Sequence, residues 1–135
     1  MKKICLLFIL IFLNFSSYSQ TGMLNGTGYA PNFTVTDING TSHTLYDYLD
    51  SGYVTVLELL SVTCGHCIAY APGTENSYQT NGPNGTNVAR FLGLEVNSST
   101  DSSAIANFMS TYGVTMPIAD NVSPVGINYQ LYYTP

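Results

Sequence analysis

The chain has 135 residues, which suits one domain built on one core. Three Lys or Arg stand against eight Asp or Glu, a formal charge of −5 that becomes −7 if Lys2 and Lys3 leave with the leader. Such a surface repels phosphate backbones and offers no basic patch to anionic lipid, so nucleic acid binding and electrostatic membrane attachment are excluded.

In chain order, Met1-Lys2-Lys3 is a short basic start and Ile4 to Leu13 is almost wholly apolar. Ser17-Tyr18-Ser19 puts small residues at the two positions a signal peptidase reads. Residues 1–19 are therefore expected to be a secretory signal, cleaved between Ser19 and Gln20. The apolar run is too short to span a bilayer comfortably, since spanning takes about 20 residues, so no stable membrane anchor is expected after cleavage. Cleavage removes Cys5 and leaves Cys64 and Cys67, an even pair in an oxidising compartment. The expected location is periplasmic, secreted or cell-surface.

Residues 20–28 read as a flexible leader, because Gly22, Asn25, Gly26 and Gly28 disfavour regular structure. A domain follows over 29–135. Phe33 to Asp37 reads as a strand, Asn39-Gly40 as a hairpin turn in which both residues tolerate positive φ, and Thr41 to His43 as the return strand. Thr44 is a suitable N-cap for a short helix ending at Asp50, with Ser51-Gly52 stopping it. His43 is read as a surface residue of the hairpin, without a role.

Tyr53 to Leu60 shows little alternation, the pattern of a strand covered on both faces in a parallel sheet. A helix over roughly Cys67 to Gln79 is predicted next, then the turn-rich stretch Asn81 to Asn87, then a second core strand from Val88 to Val96. Asp101 or Ser102 caps a further helix reaching about Tyr112, with Ala104, Ile105, Phe108 and Met109 at helical spacing. Met116 to Ala119 reads as a short strand, and Val125 to Tyr132 as a helix or helical turn. A strand-rich lead-in followed by β–α–β–α–β is an α/β sandwich.

Cys64-Gly65-His66-Cys67 carries the chemistry. A dithiol exchanges with a disulfide when one thiolate is exposed and a second thiol resolves the mixed disulfide. Cys64 at a helix N-terminus meets unpaired N–H groups and the positive end of the dipole, which favour a thiolate. Cys67 lies one turn on, on the same face and deeper, as a resolving thiol should. His66 between them stabilises the Cys64 thiolate by partial charge or hydrogen bonding, which makes the disulfide a better oxidant. A buried Glu58 is costly when charged, so its pKa is expected to rise, and it then serves to take the Cys67 proton.

Glu58 to Pro72 resembles the active-site segment of the thioredoxin superfamily, and the Cys-Gly-His-Cys tetrapeptide is similar to that of protein disulfide isomerases. Pro72 stands where that family has a helix-kinking proline, and Glu58 where it has a buried acid. Ala30 to Gly40 resembles the opening hairpin of TlpA/ResA-like redoxins, extracytoplasmic thiol-disulfide oxidoreductases related to the AhpC/TSA group. The resemblance implies an α/β thioredoxin-like fold with a central mixed β-sheet flanked by helices. It implies an enzyme without cofactor or metal that acts on protein thiols and disulfides and is recycled by a redox partner. The family usually has an aromatic before the first cysteine, where this chain has Thr63. It also places a cis-proline, often after Thr, opposite the disulfide. Met116-Pro117 and Thr134-Pro135 are candidates, and the segment Tyr129 to Pro135 favours the second. Thr63, Thr134 and Pro135 are then the expected substrate-binding residues. The chain would stop at the cis-proline, incomplete by a strand pair and a final helix.

Other readings of the motif are a structural disulfide and half of a zinc site. Zinc needs about four ligands, and only His43 and His66 could add nitrogen. An AhpC/TSA-type thiol peroxidase resembles Pro-x-x-x-Thr/Ser-x-x-Cys. Counting back from Cys64 gives Ser61 at the hydroxyl place but Leu57 at the proline place. A copper metallochaperone would want a wider cysteine spacing. A non-catalytic redoxin-fold module of a larger secreted protein is the non-enzymatic alternative.

Overall fold

The computed structural model describes residues 29–131. The expected signal and leader (1–28), and with them Thr134 and Pro135, lie outside the described residues. Strands β1 (Thr34–Thr36) and β2 (Ser42–Thr44) form an antiparallel hairpin, with Val35 opposite His43. Helix α1 (Leu45–Asp50) follows at once. Then come β3 (Val54–Leu60), α2 (Gly65–Asn81), β4 (Ala89–Glu95), α3 (Ser102–Tyr112), β5 (Ile118–Ala119) and α4 (Ser123–Asn128). β3, β4 and β5 make a parallel sheet in that order, and Asp37 bridges antiparallel to Ala119, joining the hairpin to it. The expected α/β architecture, a central sheet flanked by helices, is the one observed.

Alternation along the strands divides the core in two. Leu60 and Phe91 point to the side of α2 and α3, where they meet Cys67, Ala71, Ile105 and Phe108. Leu57, Leu59, Leu92 and Leu94 point to the other side, where Val35, Val122 and Val125 cover them. β4 is buried at nearly every position, whereas β3 is half-buried until Leu60, and Val54 is exposed. β3 therefore has apolar cover on both faces, as expected, but it is only half-buried over most of its length. β4 is the strand flanked on both sides among the described residues, and β3 has only β4 beside it.

Gly93, in the middle of β4, makes room for the Ile118 and Leu60 side chains of the neighbouring strands. A Cβ there would stand 2.9 Å from Ile118 Cγ1 and 3.1 Å from a Leu60 methyl. Gly is intrinsically weak in strands, so its place here comes from space, not from propensity.

The turns differ in detail from the expectation. Gly40 takes positive φ (86°) and Asn39 does not, because Asp37 Oδ1 accepts from both the Asn39 and Thr41 amides and sets a wider turn. Thr44 is the N-cap of α1, but its side chain makes no cap. Its hydroxyl bonds that of Thr34 across the hairpin. Asp101 does cap α3, accepting from Ala104 N at 2.8 Å. His43 is corrected outright. It is buried, bonded through Nε2 to Asp37 (2.9 Å) and through Nδ1 to the Tyr48 hydroxyl. The β2 register sends residue 43 inward beside Val35, and alternation in so short a strand does not announce it. Burial raises the Asp37 pKa, but the donors on its carboxylate outweigh this and hold it below the usual range.

Glu75 ties α2 to the segment before β5. It accepts from the Thr115 and Met116 amides, the Thr115 hydroxyl and Gln79 Nε2. Burial pushes its pKa up, yet these donors prevail and it lies below 4.5. A depressed carboxylate contributes stability that is present above the unfolded pKa and is lost as pH falls through the folded one. Two outcomes are expected. Gly93→Ala loses about 1–3 kcal/mol in urea unfolding, through overpacking against Ile118 and Leu60. Glu75→Gln loses about 1–2 kcal/mol at pH 7, and the gap to wild type closes as the unfolding is repeated at pH values below 4.5.

Candidate functional site

The site forms where β3 runs out. Leu60 is paired with Glu95, and the chain leaves the ladder through Ser61, Val62 and Thr63. Cys64 N–H bonds back to the Ser61 carbonyl at 2.9 Å, closing a turn that aims the chain into α2. Cys64 is the N-cap of α2, with extended dihedrals (φ −81°, ψ 125°), and its carbonyl accepts the Ile68 amide. It is part-exposed, at the end of the helix where unpaired amides and the dipole favour an anion.

Cys67 lies one turn in and is buried. The α2 face through Cys67, Ala71, Thr74 and Tyr78 turns toward the sheet, and Tyr78 meets the Phe91 ring edge-on at 5.7 Å. Burial above all, with hydrogen bonding and charge at Cys64 and the charge of Glu58 adding to it, pushes the Cys67 thiol up to about 11, against a backbone hydrogen bond from Ser61 that favours its thiolate. Pro72 sits inside α2, where it cannot donate the helix bond to Ile68.

Glu58 is half-buried on β3, directly opposite Gly93, on the face that α2 covers. Burial raises its pKa, and a hydrogen bond from Thr74 partly offsets the rise. Its influence on Cys67 shows that the two are electrostatic neighbours. Cys64, Cys67 and Glu58 are therefore brought together. His66 and Thr63 are exposed, and Thr63 Oγ1 lies 3.0 Å from Ser61 Oγ. The Met116–Pro117 bond is trans, as are all described peptide bonds. Among the described residues, no three His, Cys, Asp or Glu side chains gather as a metal site, and no helix is long and apolar enough to cross a membrane.

Ser61, read in the sequence only as the hydroxyl place of a peroxidase-type motif, bonds Cys67 through its backbone. Glu95 went unnoticed in the sequence. It ends β4 fully buried, and its carboxylate accepts from the Val62 amide at 2.8 Å. A single acid closing the apolar run Phe91-Leu92-Gly93-Leu94 was the signal available for it.

No protein-family profile and no curated protein matches the chain. Solved structures do. A candidate protein disulfide isomerase from Bacteroides thetaiotaomicron superposes with a TM-score of 0.64 at 24% identity, covering 84% of this chain and 66% of its own. A secreted Mycobacterium tuberculosis disulfide oxidoreductase homologous to DsbE of E. coli gives 0.64 at 22%, covering 76% and 71%. The thioredoxin domain of a thiol-disulfide oxidoreductase from Bacteroides vulgatus gives 0.66 at 17%, covering 87% and 78%. The chain thus spans about two thirds to three quarters of the length of these structures. With its parallel β3–β4–β5 sheet and the Cys64–Cys67 pair at the head of α2, it has the thioredoxin-like fold, the fold these thiol-disulfide oxidoreductases share.

Proposed function

We propose that this protein is an exported thiol-disulfide oxidoreductase that exchanges the Cys64–Cys67 pair with thiols and disulfides of protein substrates. The observation that carries this reading is the division of labour between the two thiols. Cys64 is part-exposed at a helix N-terminus, and Cys67 is buried one turn behind it, with a Ser61 amide on its sulfur and Glu58 as its electrostatic neighbour.

The Cys64 thiolate attacks one sulfur of a substrate disulfide. An S–S bond forms between Cys64 and the substrate, the substrate's own S–S bond breaks, and its other sulfur leaves as a thiolate. Cys67 must then lose a proton, which its burial opposes. Glu58, whose pKa burial raises, receives it. The Cys67 thiolate attacks Cys64 Sγ and releases the second substrate thiolate. Two electrons have reduced the substrate, and Cys64–Cys67 is a disulfide. Run backwards, the same steps oxidise a substrate dithiol, and a separate redox partner restores the starting state. Exposed His66 stands beside Cys64 at the open end of the helix, where it favours the thiolate and hence the oxidising or isomerising direction. Thr63, Thr134 and Pro135 are the substrate-binding residues on this reading, the last two by the sequence resemblance alone. Export rests on the basic, apolar and small-residue sequence of residues 1–19.

Dithiothreitol-dependent reduction of insulin tests the reaction. Wild type accelerates turbidity, Cys64→Ser abolishes the effect, and Cys67→Ser accumulates a mixed disulfide visible by mass. A wild-type rate no greater than that of Cys64→Ser would sink the proposal, and peroxide consumption dependent on Cys64 alone would replace it with a peroxidase. Glu58→Gln is expected to slow resolution by about a hundredfold, the lower end of what a positioned acid or base supplies. It also removes the limb of the pH–rate profile that Glu58, titrating above 4.5, imposes on wild type. An unchanged profile would remove Glu58 from the mechanism.

A further inference from the structure

Glu95 is the last residue of β4, and its side chain is 0% exposed. Oε2 accepts from the Val62 amide and Oε1 from the Asn97 amide, each at 2.8 Å, and the Thr100 side chain adds a third bond. Val62 is the middle residue of the three that join β3 to Cys64. On one side of it, the Ser61 amide donates to Cys67 and the Ser61 carbonyl accepts from the Cys64 amide. On the other, Thr63 shares a hydroxyl contact with Ser61. The loop that meets both thiols is therefore held at its centre by one buried carboxylate. A strand end does not require such a group, and burying it is costly unless its charge is well bonded. Burial and the nearby Asp120 raise the Glu95 pKa, while its three donors oppose the rise.

We propose that Glu95 is a positioning residue of the thiol pair. Its carboxylate fixes Val62, and through the Ser61 amide it sets how strongly the reduced form of Cys67 is stabilised against the Cys64–Cys67 disulfide. Glu95 exchanges no electrons. The equilibrium it biases is protein disulfide plus two glutathione thiols going to protein dithiol plus glutathione disulfide. Its biological meaning rests on the oxidoreductase reading, but the equilibrium belongs to the thiol pair and is measurable whether or not a protein substrate is turned over. The titratable groups on elements packed around Glu95 are Asp120 after β5, Glu58 and the two thiols on the β3–α2 side, and Asp101 at the head of α3. Of these, Asp120 acts on Glu95 directly.

The test equilibrates the full chain in glutathione redox buffers, traps thiols by alkylation and compares wild type with Glu95→Gln. The amide keeps the side-chain volume but cannot accept from both backbone donors. The constant for reduction of the disulfide is expected to fall about fivefold near neutrality, the effect of one ordinary hydrogen bond. That gap is expected to narrow as pH is lowered and the wild-type carboxyl takes up its own proton. Thr100→Val, which leaves the Val62 and Asn97 bonds in place, is expected to shift the constant in the same direction by about twofold. It decides the matter if Glu95→Gln does not fold. A constant equal to wild type, a shift of opposite sign, or a shift identical at every pH would overturn the proposal and leave Glu95 a structural residue only. Failure of insulin reduction with the Glu95→Gln shift intact would instead count against the catalytic reading and not against this one.

Discussion

Leu60 pairs with Glu95 at the end of the β3–β4 ladder, and the thiol end of the molecule depends on that register. The pairing sets the last buried residue of β3 beside a carboxylate that reaches the next amide out, Val62. Val96 N–H bonds the Leu60 carbonyl in turn, so both chains are held one residue past the last pair. From there the loop can only turn toward α2. The Cys64 amide returning to Ser61 completes the turn and leaves Cys64 at the helix cap. A slip of one residue in β3 would send Glu58 to the face of Leu57 and Leu59, away from α2, and turn Leu60 out of the cluster around Cys67.

Four of the partly buried carboxylates among the described residues have a shifted pKa, and the fold treats them in two ways. Asp37 and Glu75 are surrounded by donors and lie below the usual range. They knit the hairpin turn and the α2–β5 junction, and their stability is present at neutrality and lost on acidification. Glu58 and Glu95 lie above it because burial outweighs their donors. Their sign is reversed. The native state holds their protons more firmly than the unfolded chain, so stability falls as pH rises through that window. Asp37 and Glu75 therefore stabilise the charged protein, while Glu58, the electrostatic neighbour of Cys67, and Glu95, under the loop before Cys64, weaken it.

Much of this was legible in the sequence because it was local. The Cys64–Cys67 spacing, the Asp101 cap, the Gly40 turn and the stripe Ile105–Phe108 follow from short-range rules, and each element appears within a few residues of its expected place. What was misread is what depends on neighbours distant in sequence. Tyr53 to Leu60 and Val88 to Val96 are both apolar, and composition cannot say that β4 is the more deeply buried of the two. Thr44 had the right chemistry for a cap, but the hairpin brought Thr34 within reach of its hydroxyl. His43 looked like a surface residue until Asp37 and Tyr48 closed around it. Glu95 was missed for the same reason, since its partner Val62 is 33 residues away.

Thr63, the residue before the first cysteine, takes part in the bonding of this loop. Thr63 is exposed and leans back to bond Ser61, the residue whose amide already meets Cys67. The loop is held by polar bonds from within, at Ser61, Thr63 and Glu95. Of these, the bond from the Val62 amide to the Glu95 carboxylate is the one whose acceptor changes charge on protonation. The surface at Thr63 is left exposed, and the buried carboxylate holds the loop from below.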